Sequence, residues 1–586
     1  MLMRKTLLTL TAALALSAMA GAQTISIDHL NESHSLVRVQ GNDRYMLLPV
    51  QETAPAAEVK LLADTHAEHS FTVSLAIDKV DYFVPLDLAP WAGKTILLDV
   101  KMVQGRGYRR DVSDDVCWTE MKTVPVFQTA NRESYRPTYH FSPAYGWMND
   151  PNGMVYKDGE WHLFFQYNPY GSMWGNMTWG HAVSKDLVHW EQLDNAIWKD
   201  ALGDIFSGSA IVDKENVAGF GKNAIIAMYT SAGDNQTQSI AYSLDNGRTF
   251  VKYAGNPVIV AEDTPDFRDP KLFYDNNTHR WKVILAAGQE VQFWASDNLK
   301  DWKYESSFGQ AYGNHNGVWE CPDLVRIGGK DVLLLNINPG GPFGGSATQY
   351  FVGSYDGKTF KADEAPTVTR WMDYGKDHYA TVTWSNAPDN RVVALAWMSN
   401  WQYANAVPTQ QFRSSNSIPR DLSLIKVGKD LILKSSPSRE VEALRGNPVQ
   451  KQLSTAPVEL FQHPCKAYEI VLDLNLSKKE DLSLVLSNEA GEQVVMTWSA
   501  LEQTFSMDRR GSGLVKFSKS FPAVTVAPSR VGGKTQLRLF VDSCSIEAFG
   551  EDFVMTNLVF PSVPYNTLKL YGNTKADVTI YPLGNE

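Results

Sequence analysis

The sequence predicts an all-β fold: a five-bladed β-propeller followed by a C-terminal β-sandwich, with a small N-terminal β domain ahead of both. Three observations predict it. Short β-branched or apolar runs recur from one end of the chain to the other. A turn motif repeats four times in the middle at the spacing of a four-stranded unit. Five polar residues run ahead of those turns at nearly constant phase.

In chain order, Arg4 and Lys5 precede a short apolar run, Leu7 to Met19, and Ala20-Gly-Ala22 then offers small residues for cleavage. This is a signal-peptide layout over residues 1–22, so the mature chain is expected to begin at Gln23 and to be exported, periplasmic or extracellular. The run is too short to span a bilayer comfortably, and no other long apolar stretch follows, so no membrane span is expected. Residues 23–130 read as a small β-rich unit, with Ser35-Leu-Val-Arg-Val39, Phe71-Thr-Val-Ser-Leu75 and Thr95-Ile-Leu-Leu-Asp-Val100 as strands and no evident chemistry.

The propeller is expected over 136–435. A serine, a nearby Asp and then an aromatic recur at Ser184 to Trp190, Ser243 to Phe250, Ser296 to Trp302 and Ser354 to Phe360, with the serines 59, 53 and 58 residues apart. Each copy reads as a strand end, a tight Asp/Asn/Gly turn and a following strand. Asp150, Ser207, Asp269, Glu320 and Asp377 form the second series, 57, 62, 51 and 57 residues apart. Innermost strands of successive blades face one axis, so five polar residues early in five blades converge on one mouth of the channel. Residues 445–586 read as a β-sandwich, with Tyr468-Glu-Ile-Val-Leu-Asp-Leu474 and Gln536-Leu-Arg-Leu-Phe-Val-Asp542 among its strands, and a linker is expected around Ser435 to Ser438.

Composition narrows the function. The formal net charge is −11 with no basic run, which excludes nucleic acid as a natural partner. The 17 Trp, 24 Tyr and 25 Phe fit β structure, and they also fit sugar binding, where flat rings cover apolar sugar faces. Cys117, Cys321, Cys465 and Cys544 are widely spaced with no CxxC pair, so neither a disulfide framework nor a zinc site is expected. A Cys465–Cys544 bridge is the one pairing to set against buried free thiols, the default. The twelve His show no His-Glu-x-x-His spacing and no EF-hand loop occurs, so neither metal nor cofactor is expected. Gly340-Gly-Pro-Phe-Gly-Gly345 lacks the Lys-Ser/Thr of a phosphate loop and reads as a turn or a flexible site loop.

Three acids stand in distinctive settings: Trp147-Met-Asn-Asp150-Pro-Asn-Gly153, Arg268-Asp269-Pro270 and Trp319-Glu320-Cys-Pro322. Singly, each is a common turn or strand end; their shared phase in the repeat is what argues for one site. Paired carboxylates suit glycosidic cleavage. One protonates the leaving oxygen while the other faces the oxocarbenium-like carbon, about 5 Å apart in a retaining enzyme. Trp319, Cys321 and Pro322 are expected to raise the Glu320 pKa by their apolar surroundings, whereas Asn149 and Arg268 are expected to favour the charged forms of Asp150 and Asp269.

These segments resemble glycoside hydrolase family 32, the invertase, inulinase and levanase family, and in particular its bacterial exo-acting fructan β-fructosidases. Phe206-Ser-Gly-Ser209, Trp397-Met-Ser-Asn-Trp401-Gln-Tyr403, Ser417-Ile-Pro-Arg-Asp-Leu422 and Phe540-Val-Asp-Ser-Cys-Ser-Ile-Glu-Ala-Phe549 match as well, so the resemblance covers about residues 136–586. It implies release of fructose from levan, inulin or sucrose through a covalent fructosyl–enzyme intermediate. Asp150 would be the nucleophile, Glu320 the general acid and base, and Asp269 the stabiliser of the transition state. Trp147, Asn149, Gln166, Trp174, Phe206, Ser207, Arg268 and Trp401 would bind the sugar, and Asp377 or Tyr379 would approach the site. The N-terminal unit resembles an accessory domain of some gut-bacterial members. An endo-levanase, a fructosyltransferase, an inverting arabinan- or xylan-active hydrolase and a non-catalytic fructan binder are the alternatives.

Overall fold

The computed structural model describes residues 24–102, 111–128, 133–572 and 576–584. The signal-peptide expectation, residues 1–22, falls outside them. The chain forms two compact units with the break after Gln128. The first unit holds a five-stranded sheet in the order Thr24–Asn31, His34–Gln40, Ile96–Lys101, Ala57–Ala63, His66–Val73. A three-stranded sheet, Tyr82–Asp87, Tyr45–Val50 and Lys122–Val124, accompanies it. Alternation is clear in Ala57–Ala63, where Val59 and Leu61 point inward and Glu58 and Lys60 outward.

The second unit begins with five antiparallel blades of four strands each, consecutive in sequence except in the fifth. Their first strands are Gly146–Lys157, Asp204–Asp213, Phe267–Asp275, Val318–Ile327 and Tyr379–Thr383. Each first strand touches that of the next blade, and the fifth returns to the first, which makes the ring of a five-bladed propeller. Phe412–Arg413, which lies in sequence between two strands of blade 5, pairs in parallel with Gly146 and Trp147 of blade 1 and so ties the ring shut. The second strands, such as Ala224–Ala232 and Lys330–Asn338, are buried almost throughout because blades cover both of their faces.

The four-fold serine motif is the turn between the third and fourth strands of blades 1 to 4. In blade 1, Asp186 accepts from the Val188 and His189 amides and from the Ser184 hydroxyl. In blade 3, Asn298 accepts from the Lys300 and Asp301 amides in the same way. Blade 5 joins Arg420–Val427 to Asp430–Pro437 through Gly428-Lys429 instead, so the motif stops at four copies. The segment expected as linker, Ser435 to Ser438, is instead largely the end of this last blade strand, and a short 3₁₀ turn at Arg439–Leu444 follows it.

The C-terminal module is a sandwich of two six-stranded sheets. Strict alternation returns here, as in Leu482–Ser487 and Gln493–Ser499, because each sheet has one face on the core and one in solvent. Leu472, Leu484, Met496, Phe505, Leu539 and Leu568 fill the space between the sheets.

Two motifs shared with the resembled family form the joint between propeller and sandwich. Arg420, fully buried, spans Asp373 at 2.8 Å and Glu547 at 2.5 Å. His140 sits between Asp542 and Glu547 at 2.8 Å from each. Burial alone would lower the His140 pKa, but hydrogen bonds and charge from both acids push it up to about 9. Asp377 belongs to this joint too. Its carboxylate accepts from Arg509, the Tyr403 hydroxyl and the Leu558 amide, and the side chain is wholly buried. Truncating Arg420 strands two buried carboxylates, so Arg420→Met is expected to cost about 3–5 kcal/mol, read as a lowered denaturation midpoint in urea; a loss under about 1 kcal/mol would show that the joint is not built on this pair.

Candidate active site

The propeller mouth is shaped by one local feature repeated five times. In every blade the first strand places two residues opposite one residue of its neighbour. The bulged pairs are Asn149-Asp150 against Gln166, Phe206-Ser207 against Thr230, and Asp269-Pro270 against Leu285. Cys321-Pro322 against Leu335 and Ala380-Thr381 against Ala396 complete the ring. A bulge bends the strand and re-aims its side chains, and it is a place where proline, lacking an N–H, breaks no ladder bond. In blades 3, 4 and 5 the first bulged residue is left-handed, with φ of 62° at Asp269, 44° at Cys321 and 52° at Ala380. Such strain in non-glycine residues persists where surrounding contacts hold it.

Those contacts come from the blade before. The Asp269 amide donates to Thr230 Oγ1 (3.0 Å), the Cys321 amide to Asp269 Oδ2 (2.9 Å) and the Thr381 amide to Asn336 Oδ1 (3.0 Å). Each amide released from its own ladder is thus caught by a side chain of the preceding blade, which satisfies the donor and fixes the angle between blades. In blade 2 the bulge ends at Gly208, where a Cβ would meet the Met228 carbonyl oxygen at 2.0 Å.

The bulges bring the three predicted acids together. Asp150 accepts from the Ser207 hydroxyl (2.6 Å) and the Asn149 amide group (3.0 Å). The Cys321 thiol lies 3.5 Å from Asp150 Oδ2 and 3.6 Å from Asp269 Oδ2. Arg268 donates to Glu320 Oε1 at 3.0 Å and to Asp266 at 2.7 Å, and its Nε stands 3.9 Å from Asp269. Tyr379 donates its hydroxyl to Glu320 Oε2. Asp269 is 5% exposed, while Glu320 keeps 20% of its side chain and Asp150 is half-buried, so the cluster meets solvent on one side.

Burial dominates the titration of all three acids. The Asp150 pKa is raised by desolvation despite the bonds from Ser207, Asn149 and Cys321. Asp269 is pushed up to about 7 by desolvation, with Arg268 pulling down and Glu320 and Asp150 pushing up. Glu320 is raised by desolvation and by Asp150, against the pull of Arg268 and Tyr379. The expectation for Glu320 therefore holds in direction. For Asp150 and Asp269 it is overturned: Asn149 and Arg268 act in the expected sense, but loss of water outweighs them.

The predicted sugar-binding residues divide. Trp174 is 45% exposed and meets half-buried Phe206 edge-to-face. Trp401 is half-buried and stacks on Trp147 at 5.9 Å. Trp147 itself has no exposure and gives its indole N–H to Asn149 Oδ1 at 2.8 Å, so it props the pocket from behind and does not reach a sugar. Gln166 is also buried, donating to the Ile205 carbonyl and accepting from Asn152. Of the two flanking residues expected to approach, Tyr379 does and Asp377 does not: the strand of blade 5 starts two residues after Asp377, which leaves that carboxylate in the joint. The thiol of Cys321 is the contact that sequence reasoning passed over; its adjacency to Glu320 was the available signal.

Beneath the acids, Pro151, Gly153, Ser209, Lys271 and Thr383 line a narrow axial cavity. Lys271 crosses it to Asp323 (2.7 Å) and the Thr383 carbonyl (2.8 Å). The Gly340–Gly345 loop packs on Asn400, whose side-chain amide donates to the Gly344 carbonyl. Among the described residues no cluster has the makings of a metal site and no helix is long and apolar enough to cross a membrane. Cys117, Cys321 and Cys544 are buried and Cys465 is half-buried, where a buried thiol was expected, and the Cys465–Cys544 bridge does not form.

Residues 140–435 match the model of the glycosyl hydrolases family 32 N-terminal domain and 440–582 that of its C-terminal domain. The chain belongs to glycoside hydrolase family 32. Residues 31–139 match a domain of unknown function. The levanase of Bacillus subtilis is 45% identical over 478 residues, 77% of this chain and 71% of that one. The extracellular exo-inulinase of Aspergillus awamori is 38% identical over 504 residues, 76% and 94% of the two chains. Its crystal structure superposes with a TM-score of 0.72 at 35% identity, covering 78% of this chain and all of that one. The fructofuranosidase of Schwanniomyces occidentalis complexed with fructose gives 0.70 at 33%, covering 77% and 99%. The family 32 chain described here is therefore a glycosidase.

The raised carboxyls carry a stability cost. The native state holds a proton on Asp269 that the unfolded chain has released by pH 3.8, so the penalty grows between 3.8 and about 7 and is complete above that. Asp269→Asn keeps an oxygen for the Cys321 amide and removes the charge. It is expected to stabilise the fold by on the order of a few kcal/mol at pH 8 and by almost nothing at pH 3.5. Thermal midpoints of both proteins across that range check this; equal midpoints at pH 8 would contradict it.

Proposed function

We propose that this β-fructosidase cleaves terminal fructosyl units of fructans and of sucrose by a retaining double displacement, with Asp150 as nucleophile and Glu320 as acid and base. The observation that carries the assignment is the contrast between the two carboxyls. Asp150 receives three neutral donors, from Ser207, Asn149 and Cys321, and a carboxylate so held is oriented without a salt bridge that would quench it. Glu320 is held by Arg268 and the Tyr379 hydroxyl, and loss of water together with the Asp150 charge raises its pKa against the pull of those two, the direction a proton donor needs.

In the first step an Asp150 oxygen bonds to the anomeric carbon of fructose, the bond from that carbon to the leaving oxygen breaks, and the Glu320 proton passes to that oxygen. In the second, Glu320, now ionised, takes a proton from water; the water oxygen bonds to the anomeric carbon and Asp150 departs. Asp269, anchored by the Cys321 amide, faces the developing cation and the fructose hydroxyls. Arg268 shares its charge between Glu320, Asp269 and Asp266 and so offsets the repulsion between Glu320 and Asp269. Trp174, Phe206 and Trp401 supply flat apolar faces for the sugar.

Attack on chain ends is supported by the naming of the Aspergillus relatives as exo-inulinases. Export is supported by the N-terminal layout and by the extracellular naming of the Aspergillus relatives. The substrates follow the relatives' names: levan and inulin, with sucrose as a short analogue.

Asp150→Ala is expected to lower kcat at least about 10⁴-fold with the fold intact, since no other route to the covalent ester exists; activity within about tenfold of the parent would remove Asp150 from this role. Glu320→Ala is expected to lose about 10²–10⁴-fold on sucrose and far less on fructosyl fluoride, whose leaving group needs no proton. Equal losses on the two would argue against proton donation. Product analysis over time on levan and inulin separates end-wise attack, which gives fructose alone, from internal attack, which gives a ladder.

A further inference from the structure

A proton donor held by a guanidinium meets two opposed demands. Arg268 fixes Glu320, donating from Nη2 to Oε1 at 3.0 Å, and its positive charge favours the ionised form of the group it holds. The acid role needs the neutral form at the start of each cycle. The grip has to be kept and the charge blunted.

The far side of the same guanidinium shows how this is done. Nη1 donates to Asp266 Oδ1 at 2.7 Å and to Gln236 Oε1 at 3.2 Å, while Nε stands 3.9 Å from Asp269. Asp269 is one of the three acids assigned to fructose, and Asp266 is not. Asp266 stands just before the innermost strand of blade 3 with 39% of its side chain exposed, against 11% for Arg268. A carboxylate in that place keeps part of its hydration while it touches a guanidinium that has lost most of its own. The backbone is set for the contact. Asp266 has a left-handed φ of 50°, and the next residue, Phe267, is fully buried and accepts at its carbonyl from the Gln238 side chain at 2.9 Å. The chain therefore turns at Asp266 and is pinned at Phe267, and the carboxylate meets the side chain two residues on.

We propose that Asp266 is a positioning residue for the reaction: it braces Arg268 from outside the pocket and draws off part of its charge, so that Glu320 is gripped by the guanidinium and still carries its proton. The proposal rests on the assignment of Glu320 as proton donor and deepens it. Glu320 is faced by Arg268 and Asp269 from blade 3, Asp150 from blade 1, Tyr379 from blade 5 and the Cys321 thiol from its own strand. Arg268 is the positive charge in that ring, which is why a carboxylate on its far side reaches the donor.

The test is the pH dependence of kcat/KM on sucrose, which is bell-shaped when one acid must be ionised and another protonated. Asp266→Asn keeps an oxygen for Nη1 and suits the left-handed backbone, so it removes charge and little else. The uncompensated Arg268 is then expected to favour the ionised forms of both Asp150 and Glu320. Both limbs should move together to lower pH by about half a unit, a loss of about threefold on the alkaline side and a gain of about threefold on the acid side. Gln236→Ala, which takes a neutral acceptor from the same nitrogen, is expected to move neither limb. Limbs that stay in place or move to higher pH in Asp266→Asn, or that move as far in Gln236→Ala, would overturn the proposal and leave Asp266 a brace with no part in proton transfer. An alkaline limb that survives in Glu320→Ala would instead overturn the proton-donor assignment, so the two failures are told apart.

Discussion

The site depends on the bulge that interrupts each innermost strand at the same depth. A regular strand would send alternate side chains to opposite faces and keep its amides in the ladder. The bulge breaks both habits at one place. It turns Asp150, Ser207 and Asp269 toward the axis, lets Arg268, Glu320 and Tyr379 precede the kink, and frees an amide that the preceding blade then catches. Catalytic geometry and ring geometry are therefore fixed by the same hydrogen bonds. The left-handed backbone at Asp269, Cys321 and Ala380 is affordable because the ring over-determines it.

The same ring explains why buried acids can be kept. Asp266, Asp269 and Glu320 share one guanidinium at the mouth, and the burial that raises the pKa values of Asp150, Asp269 and Glu320 also lowers the stability of the folded state as pH rises. The propeller offsets this elsewhere: the Arg420, Glu547, Asp373 and His140 joint, sealed from water, locks blade 5 to the sandwich. Family-like motifs far from the acids, at Ser417 to Leu422 and Phe540 to Phe549, are legible as this joint once the structure is in hand.

Much of this was visible in the sequence. The Ser-Asp-aromatic turns gave the length of the blades, because an Asx turn needs a side-chain acceptor at a fixed offset, and the five polar residues from Asp150 to Asp377 gave their number. Asp-Pro and Cys-Pro marked the bulges, although the pattern alone could not tell a bulge from an ordinary turn. Asp377 misled because it keeps the period of the series while its blade begins two residues later, a difference in register that spacing does not record. Trp147 misled for another reason: a motif tells which residues travel together and not which of them face outward. The pKa directions of Asp150 and Asp269 were missed because sequence neighbours reveal nearby donors and charges but not the depth of burial, and here burial is the larger effect.

The central claim, that Asp150 forms the bond to fructose, is tested most directly by trapping that bond. The Glu320→Ala protein supplied with fructosyl fluoride should form the ester and then stall, since the group that activates water is gone. Mass spectrometry of the quenched protein is predicted to show one added fructosyl residue, carried by the peptide containing Asp150. Release of fluoride with no adduct, or an ester on any other acid, would contradict the account.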